Sequence, residues 1–445
     1  MASPEDHPND QRRVDDLPLK IGLLGCGTVG GATARILLAN ASELAVKAGA
    51  PLTLARVAVR DVSRERAVPL GADVLTADPA DVVSDPSIAI VVETIGGIDP
   101  ARELITAAIK ARKHVVTANK ELLSQHGAEL LDLAADHGVD LLFEAAVGGG
   151  IPIIRPLKES LAGDRVIRVM GIVNGTTNFI LTRMSEQGES FGEALATAQE
   201  LGYSELEPSA DVDGYDAAAK LSILASLAFN ARLTADDVHR EGISGVTASD
   251  IVAAHELGYE IKLLAVADME DGQISARVHP AMLPTSHPLA SVRDVFNAVF
   301  VEAEEAGELM FLGRGAGGAP TGSAVVSDII EIARNLLSGG RSPVQAVHHR
   351  EARIRPQAEI PVRYYVVISV LDRPGVLSAV AGIFGGFGIS IASLRQEGRG
   401  DEASLVLITH LASEGAHRAT FEALQRLDVV KDIESTMRVE GTSEG

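Results

Sequence analysis

The chain has 445 residues, which is too long for one hydrophobic core and predicts two to four domains. Its formal net charge of −22 disfavours nucleic acid and anionic membranes as partners, because like charges repel. No apolar run reaches the roughly 18 residues that a membrane span needs. A single cysteine excludes an internal disulfide, and residues 1–18 lack an apolar signal region, so we expect a cytoplasmic protein.

The first strongly patterned region covers residues 19–147, where apolar runs typical of strands alternate with helical stretches. The predicted strands are Leu19–Leu24, Leu52–Val59, Ile88–Val92, His114–Thr117 and Val139–Phe143. Strands that alternate with helices indicate an α/β domain with a parallel sheet covered on both faces.

A glycine-rich turn follows the first of these strands. Gly25, Gly27 and Gly30 form a G-x-G-x-x-G that closes a strand and opens a helix over Gly31–Leu38. In that context Gly25 permits the tight turn, Gly27 lets a pyrophosphate approach the backbone, and Gly30 lets helix and strand pack closely. An ordinary glycine turn is the alternative. We predict a Rossmann-type NAD(P)-binding domain.

The end of the second strand bears on the choice of nucleotide. Arg60, with Arg64 nearby, is suited to the 2′-phosphate of NADP, whereas NAD enzymes usually carry an acid at this place. Asp61 keeps NAD possible, and Arg60 is alternatively a solvated surface charge. Lys120 follows the strand His114–Thr117 and points into the ligand crevice if it is not simply a surface lysine at the start of a helix.

The remainder of the chain divides into three parts. Residues 148–340 mix strands with alanine- and leucine-rich helices and predict a mixed α/β substrate and dimerisation domain, whose last helix we expect to pack back on the Rossmann domain. Residues 341–361 are polar and proline-containing, as in a linker. Residues 362–441 read βαββαβ, the order of a ferredoxin-like domain.

The segment from Ala198 to Lys220 carries the most chemistry. Asp216 and Lys220 lie four residues apart on a helix predicted from about Tyr215 to Phe229. A surface ion pair is the alternative, but the helix is apolar almost all round after Lys220 and should therefore be buried. A charged pair at the mouth of a buried helix favours a pocket.

This segment resembles the signature of homoserine dehydrogenases, G-[FY]-x-E-x-x-P followed by D-x-x-G-x-D-x-x-x-K. The matching residues are Gly202, Tyr203, Glu205, Pro208, Asp211, Gly214, Asp216 and Lys220. Asn174–Asn178, Thr117–Lys120 and Gly315–Gly317 also look like family segments, and the resemblance covers about residues 19–337. It implies an NADP(H)-preferring enzyme, with NAD(H) as the other option, that interconverts L-aspartate 4-semialdehyde and L-homoserine.

The resemblance also implies roles for individual residues. Lys220 is the expected general acid, oriented by Asp216, which also contacts the substrate. Glu205 is expected to bind the ammonium group of the substrate, and Lys120 to lie near its carboxylate and the cofactor. The full set of expected cofactor contacts is Gly25, Gly27, Thr28, Val29, Gly30, Arg60, Thr94, Lys120, Gly202 and Gly317.

A monovalent cation site, for sodium or potassium, is a further feature of the family. The residues that match it are Glu144, Val147, Gly149 and Ile151, which would bind the ion largely through backbone carbonyl groups. On its own this stretch reads only as a strand followed by a glycine-rich turn.

The carboxyl-terminal domain resembles an ACT domain. Asp372, Pro374, Gly375 and Leu377 match D-x-P-G-x-L, the turn that meets an amino-acid effector in ACT domains. By analogy the effector is threonine, and the assembly is a homodimer or homotetramer. An appended domain that only supports oligomerisation is the alternative.

Two other functions compete with this prediction. Another Rossmann dehydrogenase acting on a different semialdehyde or amino acid would lack the Glu205, Asp216 and Lys220 set. A non-catalytic amino-acid sensor would carry a damaged catalytic segment, and here that segment is intact.

Overall fold

The computed structural model describes residues 18–340, 350–399 and 402–441. The chain forms two compact units. Within the described ranges, the first unit holds residues 18–122, 128–146 and 317–340, and the second holds 123–127, 147–316, 350–399 and 402–441. Among the described helices, none combines the length and apolar character needed to cross a membrane.

The elements up to residue 146 alternate between strands and helices. In chain order they are β1 (Leu19–Leu24), α1 (Thr28–Ala39), α2 (Ala41–Ala48), β2 (Leu52–Ala58), β3 (Leu75–Thr76), α3 (Ala80–Val83), β4 (Ile88–Glu93), α4 (Ala101–Lys110), β5 (His114–Thr117), α5 (Lys120–His137), β6 (Leu141–Leu142) and a 3₁₀ turn at Glu144–Ala146. The strands form one parallel sheet in the order β3-β2-β1-β4-β5-β6. This is the Rossmann order, in which the chain reverses direction across the sheet between β1 and β4.

The elements of residues 147–340 come next. They are a π-helical turn (Pro156–Ser160), β7 (Val166–Ile172), α6 (Gly175–Gln187), α7 (Phe191–Glu200), α8 (Ser209–Val212), α9 (Tyr215–Ala228), β8 (Ala231–Arg232), β9 (His239–Arg240), α10 (Ala248–Glu256), β10 (Tyr259–Glu270), β11 (Gln273–Pro284), β12 (Phe296–Ala303), β13 (Gly307–Arg314) and α11 (Gly318–Ser338), with 3₁₀ turns at Ala235–Asp237 and Pro288–Ser291.

The helix α11 belongs to the first unit although it follows the strands of the second. Val325 and Ile329 of α11 share a core with Ile21 and Leu23 of β1. Gly318 lets the helices α1 and α11 approach, because a Cβ there would lie 2.8 Å from the carbonyl oxygen of Thr28. The opposite face of the sheet is buried against α4 and α5. Both faces are thus covered, and strands in such a sheet read as continuous apolar runs.

The carboxyl-terminal elements follow a ferredoxin-like order. They are β14 (Arg350–Glu351), a 3₁₀ turn (Gln357–Glu359), β15 (Pro361–Leu371), α12 (Val376–Gly386), β16 (Ile391–Arg399), β17 (Glu402–Thr409), β18 (Ala412–Ser413), α13 (Glu414–Leu424) and β19 (Val430–Val439). Strands β19, β15, β17 and β16 lie side by side in that order, and α12 and α13 contribute to one core with them. The α/β fold class, with its Rossmann, mixed and ACT parts, is confirmed.

One large sheet runs through the second unit, beside a small sheet formed by β8 and β14. Its order is β13-β12-β7-β10-β11-β19-β15-β17-β16, with β9 paired to β11 and β18 to β15. The last strand, β19, joins the two halves, because it pairs with β15 on one side and with β11 on the other. The contact with β11 is short and parallel, and pairs Ala281 with Arg438 and Met282 with Val439.

Several elements differ from the sequence-based expectation. For residues 148–340 the sequence predicts strands at Val166–Val173, Ser275–His279 and Val299–Glu304, which correspond to β7, β11 and β12. The strands β10 and β13 are not predicted, and β11 is much longer than Ser275–His279. Of the predicted linker, residues 341–349 lie outside the described residues. The backbone of Arg353 and Arg355 exchanges hydrogen bonds of 2.8 Å with Ile274 of β11, so the second half follows the edge of the sheet.

Candidate active site

The glycine turn after β1 is shaped to receive an anionic group. Gly25 has a left-handed backbone (φ +92°), and a Cβ on Gly30 would lie 2.2 Å from the carbonyl oxygen of Gly25. Gly27 faces open space and precedes α1, whose first turn carries no acidic residue. The amide groups and the positive end of the helix dipole therefore face outward without competition, which fits the pyrophosphate of a dinucleotide.

The loop after β4 is fixed by a buried carboxylate. Glu93 has no exposed surface, and its carboxylate accepts hydrogen bonds from the amides of Ile95 (2.7 Å) and Gly96 (3.1 Å) and from the hydroxyl of Thr117 (2.6 Å). The next residue, Thr94, donates from its hydroxyl to the carbonyl oxygen of Gly25 at 3.0 Å. Sequence reasoning missed Glu93, although a carboxylate at the end of an apolar strand was a usable signal.

Asp61 and Arg60, the two charged residues after β2 that bear on the choice of nucleotide, have different surroundings. Asp61 accepts hydrogen bonds from the hydroxyl (2.6 Å) and the amide (2.8 Å) of Ser63, and these bonds lower the pKa of Asp61. Its carboxylate is thus engaged in its own loop. Arg60 is exposed beside it.

Lys120 is the first residue of α5, directly after β5. The cap of this helix is Asn119, whose side chain accepts from the amide of Leu122 (3.1 Å) and donates to the carbonyl oxygen of Gly97 (2.6 Å). Because β1, β4 and β5 are neighbours in a parallel sheet, their carboxyl ends lie at the same edge. Lys120, after β5, therefore lies at the same edge of the sheet as the glycine turn after β1.

A second cluster is centred on the helix α9. The Nζ atom of Lys220 lies 2.7 Å from Oδ2 of Asp216 and 2.8 Å from the carbonyl oxygen of Val173. The two charged side chains are only 10% and 8% exposed, so this is a buried pair and not a surface ion pair. An ammonium group has three N–H donors. Among the described residues, two acceptors bond to this group, Asp216 and the carbonyl oxygen of Val173.

Asn174 holds the carboxylate of this pair from the other side. Its Nδ2 atom donates to Asp216 at 2.9 Å and to Asp211 at 2.6 Å, while its Oδ1 atom accepts from the amide of Thr177 and caps α6. The resemblance found in the sequence includes Asn174 in a family-like segment but implies no function for it. Its contacts indicate that Asn174 orients the carboxylate of Asp216.

The segment between α7 and α9 carries one predicted cofactor contact, Gly202, and one predicted substrate contact, Glu205. Gly202 has a left-handed backbone (φ +73°) and open space around it. Glu205 is exposed, and its carbonyl oxygen accepts from the side chain of Gln199 at 3.0 Å. Within the described residues the Lys220 ammonium bonds to Val173 and Asp216, so Glu205 is not part of that cluster.

Comparison with known proteins identifies the family. The family model of the homoserine dehydrogenase NAD-binding domain matches residues 25–144, that of homoserine dehydrogenase matches residues 152–330, and that of the ACT domain matches residues 364–429. The chain is 50% identical over 439 residues to the homoserine dehydrogenase of Mycobacterium tuberculosis (strain ATCC 25618 / H37Rv), an alignment that covers 96% of this chain and 99% of that one. The chain belongs to the homoserine dehydrogenase family.

Solved structures agree with this assignment. A homoserine dehydrogenase from Thiobacillus denitrificans superposes with a TM-score of 0.91 at 40% identity, covering 96% of this chain and 99% of that one. A hyperthermophilic archaeal homoserine dehydrogenase in complex with NADPH matches 71% of this chain and 98% of its own, with a TM-score of 0.59 at 28% identity. This homoserine dehydrogenase is therefore an NAD(P)-dependent oxidoreductase, and the predicted family is confirmed.

The ACT domain of this homoserine dehydrogenase carries its predicted turn between β15 and α12. Gly375 has a left-handed backbone (φ +92°) and precedes the first residue of α12. Gly388 (φ +74°) lies between α12 and β16.

The stretch expected to bind a cation contains two left-handed glycines, Gly148 (φ +71°) and Gly149 (φ +55°). Val147, Gly149 and Ile151 are buried. Within the described residues, none of their carbonyl oxygens accepts a backbone hydrogen bond. The described part of the chain holds no group of three or more His, Cys, Asp or Glu arranged for a metal ion.

Proposed function

We propose that this homoserine dehydrogenase uses Lys220 as the proton donor when L-aspartate 4-semialdehyde is reduced to L-homoserine. The bound nicotinamide supplies the hydride to the aldehyde carbon, and the developing alkoxide must gain one proton. Of the three N–H groups of the Lys220 ammonium, the one that donates to neither Asp216 nor Val173 is available to that oxygen. In this proposal the carboxylate of Asp216, 2.7 Å away, keeps the ammonium charged and oriented, and Asp216 is also assigned a contact to the substrate.

Homoserine-dependent reduction of NADP, followed by absorbance, tests this role. We expect Lys220→Met to lower kcat by roughly 100- to 10,000-fold, the usual contribution of a positioned acid or base. Lys110→Met, which removes an exposed lysine at the end of α4, is the matched control and should keep full turnover. A folded Lys220→Met enzyme with wild-type kcat would refute the assignment.

We assign the remaining substrate contacts to Glu205 and Lys120. Glu205 is the anionic partner for the substrate ammonium, and its exposure leaves the carboxylate accessible. Lys120 serves the carboxylate and the cofactor. Substitution of either residue should raise KM for homoserine more than it lowers kcat, because these groups bind substrate without joining the proton transfer.

NADP(H) is the proposed cofactor in preference to NAD(H). The engagement of Asp61 with Ser63 and the exposure of Arg60 favour a 2′-phosphate, and the archaeal relative bound to NADPH agrees. Gly25, Gly27, Thr28, Val29, Gly30, Thr94, Gly202 and Gly317 complete the proposed contacts. Loss of a charge-assisted hydrogen bond costs about 1.5–3 kcal/mol, so Arg60→Ala should raise KM for NADP roughly 10- to 100-fold and leave that for NAD unchanged. Equal changes with both nucleotides would contradict the preference.

A monovalent cation, sodium or potassium, is proposed at the carbonyl oxygens of Val147, Gly149 and Ile151 together with Glu144. Buried carbonyl groups require partners, and an ion supplies one to each of them. Exchange of sodium or potassium for the bulky tetramethylammonium ion at constant ionic strength should lower the melting temperature. An unchanged melting temperature would argue against the site.

Threonine is the proposed effector of the ACT domain. The enzyme would then catalyse a feedback-regulated step in the pathway from aspartate to threonine, methionine and isoleucine. Threonine should inhibit turnover, and methionine or isoleucine at the same concentration should not. We also propose a homodimer or homotetramer in the cytoplasm. The end strand β13, with Leu312 57% exposed, offers an edge for such pairing, and light scattering would give the number of 46.5 kDa chains.

A further inference from the structure

Arg438 of the ACT domain binds one carboxylate within that domain and one outside it. It lies in β19, the strand that joins the two halves of the second unit. Arg438 lies in β19, directly opposite Ala281 of β11, and its side chain is only 6% exposed. Its guanidinium binds Glu414 of the ACT domain, with contacts of 2.7 and 3.2 Å. It also binds Glu241, which follows β9 outside the ACT domain, with contacts of 2.7 and 2.9 Å.

The bond to Glu241 is a forked pair in a partly buried place. Two guanidinium N–H groups reach the two oxygens of one carboxylate, the geometry that fixes direction as well as distance. Burial opposes ionisation of Glu241, but the hydrogen bonds from His239 and Arg438 outweigh it, so its pKa lies well below the usual range. The pair is therefore ionised throughout the neutral range.

The backbone around Glu241 is packed against the end of α8, directly before the turn that leads into α9. The amide of Ile243 donates to the carbonyl oxygen of Val212 at 2.9 Å. At Gly242 the approach is so close that a Cβ would lie 2.4 Å from the same oxygen. The amide of Glu241 in turn donates to Val278 of β11 at 2.7 Å. The segment is thus held between the sheet and the end of α8.

A second contact reaches the first residue of α9. The guanidinium of Arg240 lies 3.8 Å from the centre of the Tyr215 ring. Residues 212–215 form the turn that leads directly into Asp216. Residues 240–243 are thus in direct contact with the turn that precedes the carboxylate bonded to the Lys220 ammonium.

We propose that Arg438 is a positioning residue for catalysis: through Glu241 it fixes the turn at residues 212–215, and with it the Asp216–Lys220 pair. The ACT domain thereby acts on the proton donor through one side chain. This inference depends on the proposed role of Lys220, and it names the contact through which occupancy of the ACT domain can change turnover.

Arg438→Met and Glu241→Gln test the link. A displacement of about 1 Å at a catalytic group can cost up to 100-fold in rate, so we expect each variant to lose roughly 10- to 100-fold in kcat. KM for NADP should not change, because the nucleotide contacts of the glycine turn are untouched. The double variant should be no slower than the slower single one, since both changes break the same bond.

The primary deuterium isotope effect on kcat, with homoserine deuterated at the hydroxyl-bearing carbon, separates positioning from mere loss of folded enzyme. A misplaced proton donor slows the chemical step, and the isotope effect should rise. A smaller folded fraction lowers the apparent kcat and leaves the isotope effect unchanged. Tyr364→Phe is the matched control, because it removes the 2.8 Å bond from the tyrosine hydroxyl to Glu414 and spares the bond to Glu241. It should keep the wild-type kcat.

Each outcome has a distinct meaning. Wild-type kcat and isotope effect in folded Glu241→Gln would overturn the link, even if Arg438→Met does not fold. Additive losses in the double variant, or an equal loss in Tyr364→Phe, would overturn it as well. If Lys220→Met is inactive while the Glu241 and Arg438 variants behave as wild type, only the link is wrong. If Lys220→Met is active, the proposed proton donor fails first and the inference falls with it.

Discussion

The carboxylate of Glu440 should be a major source of stability in the second unit. Its oxygens bind the guanidinium groups of Arg168 and, at 2.8 Å, Arg277, and the ring of His279 is 3.5 Å away. Glu440 is 6% exposed and His279 fully buried. The Glu440→Gln substitution keeps the shape of the side chain and removes its charge. Asp268, 2.8 and 2.7 Å from the same guanidinium groups, then remains as the carboxylate that contacts both of them.

Breaking a buried ion pair by neutralising one partner costs about 3–5 kcal/mol, because the other charge stays buried without compensation. At about 1.4 kcal/mol per factor of ten, protection from hydrogen exchange in peptides of β19 should fall by roughly two to three and a half powers of ten. Urea unfolding followed by far-ultraviolet circular dichroism should give the same direction. The chain has no tryptophan, so fluorescence is a poor alternative.

The matched control is Glu304→Gln, which breaks an ion pair of the same chemistry with Arg165. Both partners are more than half exposed, at 54% and 56%, and the two groups are 3.8 Å apart. Such a pair contributes about 0–1 kcal/mol. If Glu440→Gln costs no more than Glu304→Gln, the reasoning from burial and charge at this cluster is wrong.

Two further predictions concern stability against pH and the nucleotide site. Burial opposes ionisation of Glu440, but Arg277 and Arg168 outweigh it and hold its pKa well below the usual value, whereas burial lowers the pKa of His279. Because the unfolded chain takes up these protons more readily, the melting temperature should be highest above about pH 7, decline below about 6.5 and fall steeply below about 4.5; a flat profile down to pH 4 would contradict this. The Gly30→Ala substitution puts a methyl group 2.2 Å from a carbonyl oxygen, so NADP binding measured by calorimetry should weaken roughly 5- to 150-fold, by about 1–3 kcal/mol; wild-type affinity would show that the turn can yield.

The elements with a strong local pattern were the ones that sequence reasoning could predict. The strand β1, its glycine turn and the i,i+4 placement of Asp216 and Lys220 all follow from spacing within one turn or one run. The strand β10 was missed because leucine, alanine, lysine and glutamate dominate it and favour helix. Pairing with β7 on one side and β11 on the other overrides that preference.

Contacts between distant parts of the chain were beyond the reach of the sequence. The partners Arg438 and Glu241 are 197 residues apart, and neither belongs to a recognisable spacing. Asn174 lies 42 residues from the carboxylate that it orients. Only the folded sheet brings these side chains together. Local periodicity carries no information about which pairs will meet.

The position of β19 in the sheet has a consequence for folding during synthesis. The outer edge of β11 is paired by β9, by Ile354 and by β19, and two of these three come from chain that follows α11. During synthesis, β11 leaves the ribosome before Ile354 and long before β19. Most of the outer edge of β11 therefore stays unpaired while the ACT domain is still being translated. Open strand edges recruit other strands. Nascent chains stalled before β19 should therefore depend on chaperones, and those carrying β19 should not.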